Sequence, residues 1–105
     1  MSNFVDLAAV DELPDKGFIV KTCGETQVVI AKFKQDVYAV ENLCSHAFAR
    51  FDEGRLRANR LMCPLHGACF NITNGESFGP PASQPIRSFA VQVDGDRVLV
   101  DLGED

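Results

Sequence analysis

Two short runs carry side chains fit for metal chemistry, Cys44-Ser45-His46 and Cys63-Pro64-Leu65-His66-Gly67. Each brings one thiol and one imidazole, and the chain's only two histidines both lie in them. Thiolate and imidazole are the side chains that hold iron, zinc and copper best. Within each run the Cys and His are too close to form opposite walls of a cavity, so each pair sits on one tight loop. Two such loops facing each other present two thiolates and two imidazoles. One product is a tetrahedral zinc ion with mixed ligands. Zinc fingers, however, take both cysteines from one knuckle and both histidines from a helix, whereas here the types are interleaved and no helix follows. The other product is a two-iron, two-sulfide cluster with two cysteines on one iron and two histidines on the other. Interleaving suits that choice, because each loop then reaches both irons.

The elements that must position these loops read as strands. Phe4 to Leu7 alternates and predicts an edge strand, and Ala8 to Leu13 predicts one helical turn stopped by Pro14. Phe18–Thr22 and Gln27–Phe33 are β-branched runs joined by a hairpin at Cys23 to Thr26. After a turn at Lys34-Gln35-Asp36, Val37 to Val40 forms a strand that delivers the chain to the first run. Between the runs stand a turn at Asp52-Glu53-Gly54 and a strand-like Arg60-Leu61-Met62. Beyond the second come a short strand, Cys69 to Ile72, and a hairpin turn at Asn74-Gly75. The stretch Gly79 to Pro85 holds three prolines and predicts a loop of fixed shape. Ser88–Val93 and Arg97–Asp101 flank Asp94-Gly95-Asp96 as a closing hairpin, with Phe89, Val91 and Val93 on one face. Short strands broken by turn residues indicate an antiparallel all-β domain.

At 105 residues the chain is read as a single domain, 1–105, large enough to fold around one core without a metal. The net charge of −5 argues against nucleic acid or an anionic membrane as partner. No run is long and apolar enough to span a bilayer, and Met1 to Asp6 shows no signal-peptide pattern. A cytoplasmic location is therefore expected, where four cysteines serve as ligands and buried thiols rather than in disulfides. Cys69 and Cys23 are both expected to be buried structural thiols.

The paired runs resemble the two boxes of Rieske iron–sulfur proteins, and the resemblance extends to Asp52-Glu53-Gly54, Phe70, Asn74-Gly75, the Pro80-Pro81 loop and the closing hairpin. It is greatest toward the small Rieske ferredoxins that feed bacterial aromatic-ring-hydroxylating dioxygenases. The resemblance implies an antiparallel β-sandwich base with a small two-loop cluster-binding subdomain, about 43–82, inserted in it. It implies one [2Fe-2S] cluster, with Cys44 and Cys63 on the inner iron and His46 and His66 on the outer. It also implies a one-electron carrier rather than an enzyme, working as a monomer between a flavoprotein NAD(P)H-dependent reductase and a terminal Rieske oxygenase. A small subunit fixed in a larger redox enzyme such as a nitrite reductase, or a structural zinc module, are the alternatives. Co-purification with a large subunit would mark the first, and a colourless protein with stoichiometric zinc the second.

Backbone amides near Ser45, His46, Gly67 and Ala68 are expected to tune the cluster, and Pro80 and Pro81 to shield it, or else simply to end a strand. High-potential relatives carry a disulfide between the boxes and hydroxyl donors beside the cluster. Here those places hold Ala49 and Leu65, and Ala68 and Phe70. The expected potential therefore lies in the lower part of the Rieske range of about −150 to +300 mV. Phe48 offers a docking contact near the outer iron or packs beneath its loop. Arg50, Arg55, Arg57 and Arg60 read either as a basic collar for docking or as a solvated face balanced by Asp52 and Glu53.

Overall fold

The structure is a computed structural model, and it describes residues 4–43, 50–52, 54–64, 68–79 and 84–102. Nine strands follow in order: β1 (Phe4–Ala9), β2 (Ile19–Cys23), β3 (Thr26–Phe33), β4 (Asp36–Glu41), β5 (Arg55–Arg57), β6 (Arg60–Met62), β7 (Cys69–Asn71), β8 (Ser88–Asp94) and β9 (Arg97–Asp101). Helix among the described residues is confined to one 3-10 turn, Val10–Glu12. The expected turn before Pro14 is thus present but shorter, because Ala8 and Ala9 stay in β1 paired with β9.

Six strands form an antiparallel sheet in the order β1-β9-β8-β4-β3-β2, and three form a second in the order β5-β6-β7. The large sheet folds over at β8. Ser88 and Phe89 pair with β4, while Ala90 to Asp94 pair with β9. One strand thereby serves both layers, and β1-β9-β8 comes to lie against β2-β3-β4. The expected β-sandwich is what the chain builds.

β3 explains the assembly. Its central run Val28-Val29-Ile30-Ala31 is wholly inaccessible to solvent, as a continuous apolar run must be if both faces of the strand are covered. Val28 and Ile30 join Ala39, Phe89, Val98 and Val100 between the two layers. Val29 and Ala31 point the other way and join Val40, Phe51, Leu61, Cys63, Ala68, Phe70 and Ile72. The three-stranded sheet is therefore packed onto the back of β3 and β4. Each fully buried Val or Ile contributes about 1.5–3 kcal/mol, and a one-residue slip of β3 would exchange its two faces. The register Val28↔Glu41 to Phe33↔Asp36 is fixed by that pressure from both sides.

Two sequence expectations need correction. Cys69 and Cys23 are partly exposed rather than buried. Cys69 alternates with Phe70, and the larger apolar ring takes the core side. Asn74-Gly75 is not a two-residue hairpin turn, because Asn71 N–H donates to Glu76 C=O and residues 72–75 form the loop. Val93 is exposed, since it sits beside the tip of the β8–β9 hairpin beyond the reach of the core.

The turn between β3 and β4 is made by two non-glycine residues in the left-handed region, Lys34 (φ 53°) and Gln35 (φ 72°). That is the pattern of a type I′ turn, for which Asn-Gly is the low-strain sequence. Replacing Lys34-Gln35 by Asn-Gly is expected to stabilise the protein by about 1 kcal/mol. The melting temperature should rise by roughly 5 °C, and an unchanged or lowered melting curve would contradict the assignment.

Candidate metal centre

Of the four expected ligands, Cys63 is described, while Cys44, His46 and His66 lie outside the described residues. So do Ser45, Phe48, Gly67, Pro80 and Pro81. The described residues show how the segments that carry them are founded.

The second box connects β6 to β7. Met62 pairs with Cys69, and Cys63 N–H donates to Ala68 C=O at 2.7 Å, closing the hairpin around Pro64 to Gly67. Cys63 is 1% exposed and Ala68 fully buried. A thiol this protected from water and oxidant suits a metal ligand better than a surface nucleophile.

The first box leaves β4 through Asn42 and returns at Arg50. Asn42 is the one fully buried polar side chain among the described residues, and its bonding reaches both sides of the segment. Its Nδ2 donates to Gln27 Oε1 (3.0 Å) and Asp52 Oδ1 (2.7 Å), and its Oδ1 accepts from Phe51 N–H (2.6 Å). Its backbone N–H donates to Gln27 C=O, and its carbonyl accepts from Arg50 Nη1 (3.2 Å). Every polar atom of the residue is used, and the two ends of 44–49 are clamped to each other and to β3. Arg50, expected as a docking cation, therefore also braces the foot of this segment.

Gly54 joins the two foundations. Its N–H donates to Phe51 C=O at 2.7 Å, and a Cβ built on it would overlap the carbonyl oxygen of Met62. Only glycine lets the chain leaving the first box press against the residue preceding Cys63. Phe51 and Phe70, each just past one box, meet beneath them edge to face, with ring centroids 5.7 Å apart and planes at 85°. Both are fully buried, which gives the feet a dry, stiff floor.

The stretch bearing Pro80 and Pro81 is tied down on both sides. Before it, Phe78 N–H donates to Cys69 C=O, and Ser77 Oγ bonds to Gly79 N–H. After it, Ile86 N–H donates to Gly75 C=O, and Gly75 (φ 82°) again sits where a Cβ would strike a carbonyl, that of Ile86. Both ends of the proline stretch are thereby moored beside β7, the strand that leaves the second box.

Among the described residues no three Cys, His, Asp or Glu side chains gather to hold a metal. The buried Cys63 thiol, the hydrogen-bonded hairpin around it and the clamp at Asn42 fit a centre that takes its ligands from both boxes. The groups whose pKa values shift stand elsewhere. Glu12 is held below the usual carboxylate range, chiefly by its hydrogen bond with Lys21, and Arg97 is raised, chiefly by Asp6. Asn42 and Gly54 are the site residues that sequence reasoning missed. The one legible hint was an amide residue between a strand and a metal box.

Residues 3–90 match the model of the Rieske [2Fe-2S] domain. The ferredoxin component of the naphthalene 1,2-dioxygenase system of Pseudomonas aeruginosa is 30% identical over 99 residues, covering 94% of this chain and 95% of that protein. The ferredoxin of carbazole 1,9a-dioxygenase from Nocardioides aromaticivorans IC177 superposes with a TM-score of 0.88 at 33% identity, over 95% of this chain and 98% of that one. A complex of reduced oxygenase and oxidised ferredoxin in carbazole 1,9a-dioxygenase matches with a TM-score of 0.85 at 25% identity, over 93% and 92%. With two Cys/His boxes in its sequence, a β-sandwich fold and a family match over most of its length, the chain belongs to the Rieske [2Fe-2S] domain family.

Proposed function

We propose that this chain is the ferredoxin component of a ring-hydroxylating oxygenase system. It takes electrons singly from an NAD(P)H-dependent flavoprotein reductase and passes them to a terminal Rieske non-haem iron oxygenase. The observation that carries this reading is mutual coverage, since chain and ferredoxin relatives match each other almost end to end. The relatives are electron-transfer components, and one fold relative is a ferredoxin in complex with its oxygenase. The same reading has the chain act as a monomer in the cytoplasm. No helix among the described residues is long and apolar enough to cross a membrane.

Residues 43–82 form the cluster-binding subdomain in this reading, and the β5-β6-β7 sheet falls wholly within them. Cys44, Cys63, His46 and His66 would hold one [2Fe-2S] cluster, the cysteines on one iron and the histidines on the other. When bound, such a cluster stores and releases one electron, at a potential raised by its two neutral imidazole ligands. The chain's own residues do the rest. Asn42 and Gly54 fix the feet of both boxes, so that little of the protein rearranges as charge changes. Phe51, Phe70 and Ala68 exclude water from below. In the same reading Pro80 and Pro81 would shield the cluster, the amides near Ser45, Gly67 and Ala68 would tune it, and Phe48 and Arg50 would serve in docking.

Reductive titration and low-temperature EPR of the anaerobic holoprotein test this. One electron per two irons is expected, with the low average g of a histidine-ligated cluster and a midpoint below about +100 mV, in the lower part of the family range. An average g typical of all-cysteine clusters, or a midpoint near the top of that range, would refute the assignment.

A further inference from the structure

A groove of about 930 Å³ runs along the side of the molecule between β5, the end of β3 and the turn at Asp15 to Phe18. Residues lining it include Asp52 and Gly54, at the foot of the two boxes, and Lys34 and Ala58. Its lining includes Lys16, Lys32, Lys34, Arg55 and Arg57, half of the ten cationic residues in a chain of net charge −5. Two carboxylates line it as well, Asp15 and Asp52, and Asp52 is already engaged by Asn42. None of the five cations is in an ion pair among the described residues. Among the described residues the ion pairs are Lys21–Glu12 and Arg97–Asp6, on other strands. The described lining thus carries five cations against two carboxylates in a chain of net charge −5, an excess that an anionic partner would offset.

The shape says what kind of anion. The four consecutive residues Arg55 to Ala58 all border the groove, although alternate side chains of a strand point to opposite faces. The groove is therefore bounded by the edge of β5 rather than by one face, and β5 is an edge strand of its sheet. An open edge flanked by cations matches an extended peptide carrying carboxylates, which adds main-chain hydrogen bonds to charge pairing. Phe18, Phe33 and Leu56, packed on the core beneath, supply an apolar floor. Two turns that line the groove hold non-glycine residues in the left-handed region, Lys34 (φ 53°) and Ala58 (φ 56°). At Lys34 the chain accepts strain that Asn or Gly would relieve, and thereby keeps a cation on the rim.

We propose that this groove binds an extended acidic segment of a partner protein, laid along β5 beside the cluster-bearing end. The carrier reading enters only in naming that partner as a redox partner. The test needs no electron transfer, so the two readings fail separately. A fluorescein-labelled hexaglutamate peptide is titrated into the holoprotein at low ionic strength and followed by anisotropy. Saturable binding is expected despite the protein's overall negative charge, weakening with added salt. The variant Lys32→Glu/Lys34→Glu should bind about tenfold or more weakly, as the loss of charge pairing across a rim predicts. The variant Lys21→Glu/Arg87→Glu, equal in charge but outside the groove, should stay within about twofold of wild type. Visible absorption and melting curves check that each variant is folded and loaded. No binding by wild type, or equal weakening in both variants, overturns the proposal.

Discussion

Gly54→Ala is expected to cost about 3 kcal/mol and to leave most of the purified protein without its cluster. The added methyl group would overlap the Met62 carbonyl oxygen and crowd that of Phe51. Neither is the far end of a flexible side chain, so the backbone itself must give. Gly54 does not lie in the left-handed region, and the whole penalty therefore comes from the close approach. Relief can come only by separating the residue after the first box from the residue before Cys63, which pulls the two ligand-bearing segments apart. Gly95→Ala is the comparison. Gly95 has a φ of 64° but open space around its missing Cβ, so alanine there should cost only about 1–2 kcal/mol of backbone strain with full iron content. Iron per protein, visible absorption and chemical denaturation decide between them. A Gly54→Ala protein with full iron and a loss no larger than that of Gly95→Ala would show that the contact does not hold the boxes together.

What was legible in the sequence was whatever depends on neighbours along the chain. The two boxes, the hairpins at Gly24-Glu25 and Gly95-Asp96, and β3 as a strand all follow from local pattern; the hairpins and β3 stand in the fold, and of the four expected ligands Cys63 lies among the described residues. What was not legible depends on contacts across the fold. β5 reads Arg-Leu-Arg, two charges around one apolar residue, which looks like solvated loop until the back of β3 gives Leu56 something to cover. Gly54 reads as turn chemistry, and its necessity appears only when Met62 is brought against it. Cys69 was read as a buried structural thiol because the two boxes already supply four better ligands. Its pairing with Met62, itself 38% exposed, places it on the outer face once Phe70 is assigned inward. The five groove cations were half visible. Arg55 and Arg57 were noticed as crowded, but Lys16, Lys32 and Lys34 come from distant stretches that only the fold assembles.

Asn42→Leu keeps most of the side-chain volume and removes all of its side-chain hydrogen bonds, and it is expected to destabilise the holoprotein by about 3–5 kcal/mol. Three groups lose a partner at once: the Phe51 N–H, the Gln27 amide oxygen and the Asp52 carboxylate. The Phe51 N–H is buried and cannot turn to water, so it bears the full desolvation penalty. Asp52→Ala provides the measure of scale, since it removes a single bond at a partly exposed position and should cost only about 1 kcal/mol. The two variants differ in a second respect. With the Asn42 side chain gone, the strand entering 44–49 and the residues leaving it are held only by the backbone bond to Gln27 C=O and the Arg50 bond to the carbonyl at position 42. The cluster should therefore be lost on mild heating before the sandwich melts. Following visible absorption and far-ultraviolet circular dichroism together should show two separated transitions in Asn42→Leu and one shared transition in wild type and Asp52→Ala. If Asn42→Leu instead melts in a single step within about 1 kcal/mol of wild type, then Asn42 is only filling space, and the rigidity of the first box must come from the floor of Phe51 and Phe70.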